Sequence, residues 1–244
     1  MTKHYKNSPI SEAVCEFQFG LDSTWDFTVP GLVYEKVRNT FPIRSQVARV
    51  TLGIAANEGE IGSQFGAVPV MRFTHKDEKT HIQVAPHLLS VHHLKPYSSW
   101  QEFLPLIKDG FEAYREVASP KSIHRIGLRY INTIELTGSS IALEDYFEFR
   151  PYIGSDLPRT IGPFMMSVQL PFENARDVLN LQLVSQAGLS SDVAIIILDL
   201  DYFLAKSGEV KLDKVFDWVN TAHTHIEDVF EASINEQLKQ KFEE

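Results

Sequence analysis

The stretch "LDLDYF" sets Asp199 and Asp201 two residues apart, so on a β-strand both carboxylates point to one face. Paired carboxylates at that spacing hold magnesium in nucleases and phosphotransferases. Two carboxylates alone do not make such a site, and aspartates that close an aliphatic run are the simpler reading. "HTHIED" offers His223, His225 and Glu227. Residues four apart share a helix face and residues two apart do not, so His223 and Glu227 can meet at one ion without His225. A catalytic zinc takes three protein ligands. The simpler expectation has His223 bracing a helix–sheet contact and His225 in solvent. "VHHL" sends His92 and His93 to opposite faces of a strand, where they cannot act together. These are weak metal candidates, and no cofactor is expected.

"HRIGLRYINTIEL" (124–136) alternates with period two. His124, Ile126, Leu128, Tyr130, Asn132, Ile134 and Leu136 share one face; Arg125, Gly127, Arg129, Ile131, Thr133 and Glu135 share the other. Two arginines four residues apart are either a comb for an anionic ligand, to which the guanidinium fork is suited, or half of an internal ion-pair ladder. "SEAVCEFQF" supplies the other half: antiparallel pairing would set Glu12 near Arg129 and Glu16 near Arg125, for about 0.2–1 kcal/mol per pair. Arg125, Arg129, Tyr130, Asn132, Glu12 and Glu16 are the candidate contacts for a ligand or partner.

Other nucleophile and phosphate motifs are missing. "GEIGSQFG" lacks the Gly-Lys-Ser/Thr end of a Walker loop and a dinucleotide fingerprint, and no serine sits in a nucleophile elbow. Cys15, the one cysteine, falls on an apolar strand face where a thiol acts as a small hydrophobe. The reading leans against an enzyme.

The elements that must position these residues follow from periodicity. "ISEAVCEFQFG" is a half-buried strand. "VPGLVYEKVRNTF" is a short helix with Pro30 in its first turn, Leu32, Val33, Val37 and Phe41 on one side, and Pro42 beyond. "QVARVTLGIA", "PVMRFTH" and "HIQVAPHLLSVHHL" are strands, and "NEGEIGSQFGAVP" between the first two is a loop or hairpin tip. "SSWQEFLPLIKDGFEAYREV" is an amphipathic helix led by serine caps. The second half opens with the arginine strand. "IALEDYFEFRP" then reads as a short helix, and "PFMMSVQLPF", "VLNLQLVSQ" and "VAIIILDLDYF" as strands joined by "ENARD" and "AGLSSD". The last segment, 211–242, is one long helix. Each half (1–120 and 121–244) thus reads β-α-β-β-β-α. The expected fold is α+β: a tandem repeat forming one curved antiparallel sheet, polar on one face, with two long helices on the other. Such an architecture is similar to the TATA-binding-protein saddle, and each half to a helix-grip unit; topology alone assigns no function.

The chain of 244 residues carries a net charge of −9 and is 43% hydrophobic. Residues 1–120 hold 12 basic and 13 acidic side chains, and 121–244 hold 11 and 19. An acidic chain is at a disadvantage on phosphate and suits a basic protein partner. With no secretory h-region after "MTKHYKNSPI" and no aliphatic run near the roughly 20 residues of a span, a soluble cytoplasmic protein that makes no membrane contact is expected.

The opening "YKNSPISEAVCEFQF", with its N-x-P-I-x-E-A pattern, the central "GLRYIN" and the late "HTHIEDVFE" resemble a sporadically distributed family of bacterial proteins that has no established activity. The resemblance spans the chain and carries over no catalytic residue. It implies an accessory gene of the kind found on mobile elements, in toxin–antitoxin pairs or in defence loci. The leading expectation is a non-enzymatic interaction protein, an accessory subunit or antitoxin-like partner; a second copy of the chain is a further candidate partner. Its rivals are a small-molecule binder with a pocket lined by Phe17, Phe19, Tyr130, Phe164, Met165 and Met166, a metal-dependent nuclease or nucleotide-acting enzyme using Asp199 and Asp201, and a nucleic-acid saddle using Arg125, Arg129 and Arg72.

Overall fold

The computed structural model describes residues 5–22, 24–57, 60–138, 141–158, 161–185 and 193–244, with backbone only at 49–57 and 60–68. The expected turn "AGLSSD" lies outside the described residues. Nine strands, β1 (Ile10–Phe19), β2 (Ile43–Asn57), β3 (Glu60–Thr74), β4 (Thr80–Ala85), β5 (Leu88–Leu94), β6 (Ile123–Thr137), β7 (Phe164–Phe172), β8 (Asp177–Ser185) and β9 (Val193–Leu204), join four helices. The helices are α1 (Val29–Val37), α2 (Trp100–Ala118), α3 (Val215–Ser233) and α4 (Glu236–Glu243). The class is α+β, and the strands form one open antiparallel sheet in the order β2-β3-β4-β5-β1-β6-β9-β8-β7.

The two halves of the chain meet at the β1–β6 pair. Alternation along both strands sends Ala13, Cys15, Phe17, Ile126, Leu128 and Tyr130 to one face, where all are buried. Apolar residues at helical spacing on α2 (Phe103, Ile107, Phe111, Tyr114) and α3 (Val219, Ala222, Ile226) cover that face. Phe111 of α2 meets Phe17 of β1 with ring centroids 4.9 Å apart, and Trp218 of α3 meets Tyr202 of β9 at 5.5 Å. Gly110 allows the close approach of α2, since a Cβ there would lie 3.1 Å from Ile82 Cδ1. The helices also touch each other, Phe111 against Phe216 and Trp100 against His223. Ser99 caps α2, its hydroxyl accepting from the Glu102 amide at 3.2 Å.

Several expected elements differ. "HIQVAPHLLSVHHL" is two strands, β4 and β5, because His87 adopts a left-handed φ of 55° and turns the chain between them. Most of the glycine-rich span is not a loop: Glu60–Thr74 continues as β3, its glycines carried by pairing with β2. "IALEDYFEFRP" forms only a 3-10 turn at Leu143–Asp145. The final helix breaks at Ile234, which takes an extended φ/ψ of −120°/151°, and Asn235 recaps α4. Neither half therefore shows the β-α-β-β-β-α order as written. On α1, Leu32 is exposed while Val29, Val33 and Val37 are buried.

Candidate functional site

Strand alternation divides the predicted residues between two faces of the sheet. On the face away from the helices, β6 lies between β1 and β9. Its register with β9 places Arg129 opposite Asp201 and Ile131 opposite Asp199. Arg129 Nε donates to Asp199 Oδ1 at 2.8 Å and Nη2 donates to Oδ2, a bidentate pair. That pairing raises the Arg129 pKa further, and the Asp199 side chain is only 9% exposed. Arg125 Nη2 donates to Asp201 Oδ2 at 3.3 Å, its Nη1 lies 3.6 Å from Glu16 Oε1, and its guanidinium sits 4.9 Å over the Phe203 ring. Gly127 makes room for this reach, because a Cβ there would stand 2.8 Å from Arg125 Nη1. Burial pushes the Asp201 carboxyl above the usual carboxylate range.

The expected ladder forms in part: Glu16 does lie 3.6 Å from Arg125, but Arg129 pairs with Asp199 and not with Glu12. β1 and β6 do pair antiparallel, but two residues out of the expected register: Val14, not Glu12, opposes Arg129, and Gln18, not Glu16, opposes Arg125. A two-residue slide keeps every side chain on its face, so the polar rows still meet. Glu12 instead accepts from His92 Nδ1 at 2.8 Å, which holds its carboxyl below the usual range. His92 stacks on His81 at 4.5 Å, and burial drives the His81 pKa down to about 3. Glu12, Glu16, His92, Arg125, Arg129 and Asp201 line a basin of about 460 Å³. Its charges are largely matched from within: the carboxylates that a magnesium site would use are held by guanidinium groups. Among the described residues no group of three or more His, Cys, Asp or Glu side chains is placed to hold a metal ion.

Tyr130, Asn132, His223 and Glu227 lie on the helix side. They line a crevice of about 630 Å³ between the start of α2, the C-terminal half of α3 and the segment before β1. Trp100, the first residue of α2, stacks on His223 at 4.1 Å and donates from Nε1 to Asn220 at 3.2 Å. Tyr130 OH lies 3.1 Å from His223 Nδ1 and 3.3 Å from Tyr97 OH. Burial raises both phenols above their usual range, so each stays an O–H group near neutrality. Glu227 Oε1 lies 3.2 Å from His223 Nε2 but off the hydrogen-bonding direction, and that buried nitrogen has no hydrogen-bond partner; neither has the buried Ser98 hydroxyl. Asn132 Nδ2 donates to the Leu198 carbonyl at 3.0 Å.

Among the described residues the crevice lining carries four carboxylates, Glu102, Glu227, Asp228 and Glu231, and five aromatic rings, Tyr5, Tyr97, Trp100, Tyr130 and Phe230, with no lysine or arginine. Lys239, 3.4 Å from Glu231, is the one Lys or Arg within ion-pair distance of these acids among the described residues. Tyr97, Ser98, Trp100 and Asp228 escaped the sequence reading. Trp100 stood on the apolar stripe of α2, but nothing local ties it to a histidine more than a hundred residues away.

The apolar pocket expected from Phe17, Phe19, Tyr130, Phe164, Met165 and Met166 does not form. Phe17 and Phe19 are sealed beneath α2, whereas Phe164, Met165 and Met166 lie on β7 at the sheet edge, Met165 being 72% exposed. His225 is not in open solvent, since its ring stacks on Tyr202 at 5.5 Å. Arg72 is on β3, opposite Gln83 of β4 and with β4, β5 and β1 between it and the β6 arginines, so Arg72, Arg125 and Arg129 do not form one strip. Among the described residues no helix is long and apolar enough to cross a membrane. No protein-family profile matches the chain, and no curated protein sequence matches it.

Proposed function

We propose that the chain is a non-enzymatic interaction protein whose working surface is the helix-side crevice and whose partner is a basic protein. The observation that carries this reading is the crevice itself: four carboxylates and five rings, without a lysine or arginine among the described lining residues. Acidic rims steer basic partners and set association rate more than affinity, while Trp and Tyr supply buried contact area. The engagement of Asp199 and Asp201 by Arg129 and Arg125 supports the non-catalytic reading over a metal-dependent one. The family resemblance makes an accessory or antitoxin-like role the natural setting. In this reading the fold is a diverged duplication, a saddle of the TATA-binding-protein kind with helix-grip-like halves. Its support is the strand order, in which each half begins at the centre and runs outward in reverse.

The test is co-expression with the products of adjacent genes, followed by size-exclusion chromatography and carbodiimide cross-linking, which joins carboxylates to lysine amines. A complex cross-linked through Glu102, Glu227 or Asp228, and formed more slowly at high salt or by Glu102→Gln/Asp228→Asn, is expected. A chain that remains monomeric and partnerless, or one cross-linked only through its open sheet face, refutes the reading.

A further inference from the structure

We infer that the crevice is a seat for one compact organic cation, a primary ammonium or guanidinium group on an apolar stem, with Glu227 as its counter-ion. The inference rests on the crevice being the working surface and goes further by naming what enters it. His223 is 6% exposed, yet its Nε2 is buried without a hydrogen-bond partner, 3.2 Å from a Glu227 oxygen. Buried polar atoms in native proteins are paired, so two unsatisfied atoms in one cavity, His223 Nε2 and Ser98 Oγ, point to a missing polar group.

The sign of that group follows from its surroundings. Tyr97 and Tyr130 are neutral O–H groups linked to His223 Nδ1. With the imidazole proton on Nδ1, donated to Tyr130, Nε2 presents a lone pair beside the Glu227 carboxylate and the two acceptors need a shared donor. With the proton on Nε2, the carboxylate 3.2 Å away is still an acceptor. An ammonium brings three N–H donors and a guanidinium five, and neither accepts. The attractions for an anion are Lys239, which Glu231 and Glu236 already pair, and the amino end of α2, worth roughly half a positive charge. Glu102 in the first turn and the Ser99 cap already answer that end, and Glu227 and Asp228 repel an anion. Aromatic rings favour a cation and its alkyl stem. The Glu227 side chain, 29% exposed, is reachable from the mouth.

The site is tested on the whole chain by NMR of indole and imidazole groups, with n-butylammonium and n-butylguanidinium as probes and butyrate as control. Either cation should shift Trp100 Nε1–H and the His223 ring while leaving Trp25 and Trp218 still. Glu227→Gln should weaken the response by roughly tenfold, the loss of one charge-assisted contact, with an unchanged unfolding midpoint. A stronger response to N-acetyl-lysine methylamide than to n-butylammonium assigns the cation to a polypeptide side chain, and the reverse to a free amine. Silence with every cation, or equal shifts with butyrate, overturns the inference. If the cations fail while an adjacent-gene product still cross-links to the crevice, the cation seat falls alone; if neither engages the crevice, the proposed function falls too.

Discussion

Replacing Arg129 with methionine removes the guanidinium that holds Asp199 and leaves a carboxylate whose side chain is 9% exposed. Stripping one partner from a fully buried pair costs roughly 3–5 kcal/mol, because the remaining charge stays desolvated. The Arg129 side chain is 45% exposed, so water reaches the pair from one side and screening trims the cost; about 2–3 kcal/mol is expected. The reverse change, Asp199→Leu, leaves a guanidinium that can turn to water or to Asp201 across the strand pair, for about 1 kcal/mol. The double variant Arg129→Met/Asp199→Leu buries no unpaired charge and places apolar side chains on neighbouring strands. It should lie within about 1 kcal/mol of the native chain, since apolar replacement of a buried pair is often neutral or stabilising. Urea unfolding followed by circular dichroism gives all three values by linear extrapolation. If Arg129→Met costs less than about 0.5 kcal/mol, or the double variant equals the sum of the singles, the pair does not hold the sheet centre together.

Asp177 is fully buried and accepts from Arg176, Tyr202 OH and Trp218 Nε1; Asp177→Ala should cost about 3 kcal/mol in the same assay, since it leaves the Trp218 donor without a partner. Glu173, Asn174 and Ala175 all hold left-handed φ values of 49°, 55° and 58°, so Ala175→Gly should raise stability by roughly 0.5–1 kcal/mol. His81, with its pKa lowered to about 3, is protonated in the unfolded chain before the folded one. Its cost is therefore absent above the unfolded value of about 6.5 and grows as pH falls toward 3, by at most about 1.4 kcal/mol per unit. Asp201, raised by burial, runs the other way and favours the folded chain at low pH. The check is accordingly the difference between the native chain and His81→Asn measured from pH 7 to 4: a flatter curve for the variant is expected, and parallel curves refute it. Gly127→Val should push Arg125 off Asp201, at a cost of about 1 kcal/mol, read by the same denaturation.

Much of the sheet was legible because alternation is a local property. The faces of 125–136 follow from period two alone, with Ile126, Leu128, Tyr130, Ile134 and Leu136 all buried, whereas His124, expected beside them, is exposed at a register shift where Ile123 takes the buried side. The same signal failed where a short turn interrupts an apolar run: "HIQVAPHLLSVHHL" hides its turn at His87, a residue with no glycine-like mark. The 143–145 segment failed for a related reason, its apolar spacing fitting a helix while the chain kept a single turn.

The sequence by itself determined which side chains share a face, because a strand's period and a helix's period are set by backbone geometry within a few residues. It therefore grouped Arg125 with Arg129, Asp199 with Asp201, and His223 with Glu227. Which group meets which was decided only by the tertiary structure, since strand order and register depend on burying whole faces rather than on any local pair. That is why Arg129 found Asp199 of β9 and Arg125 is shared between Asp201 of β9 and Glu16 of β1, and why Trp100 came to lie on His223 above a crevice that no stretch of sequence contains.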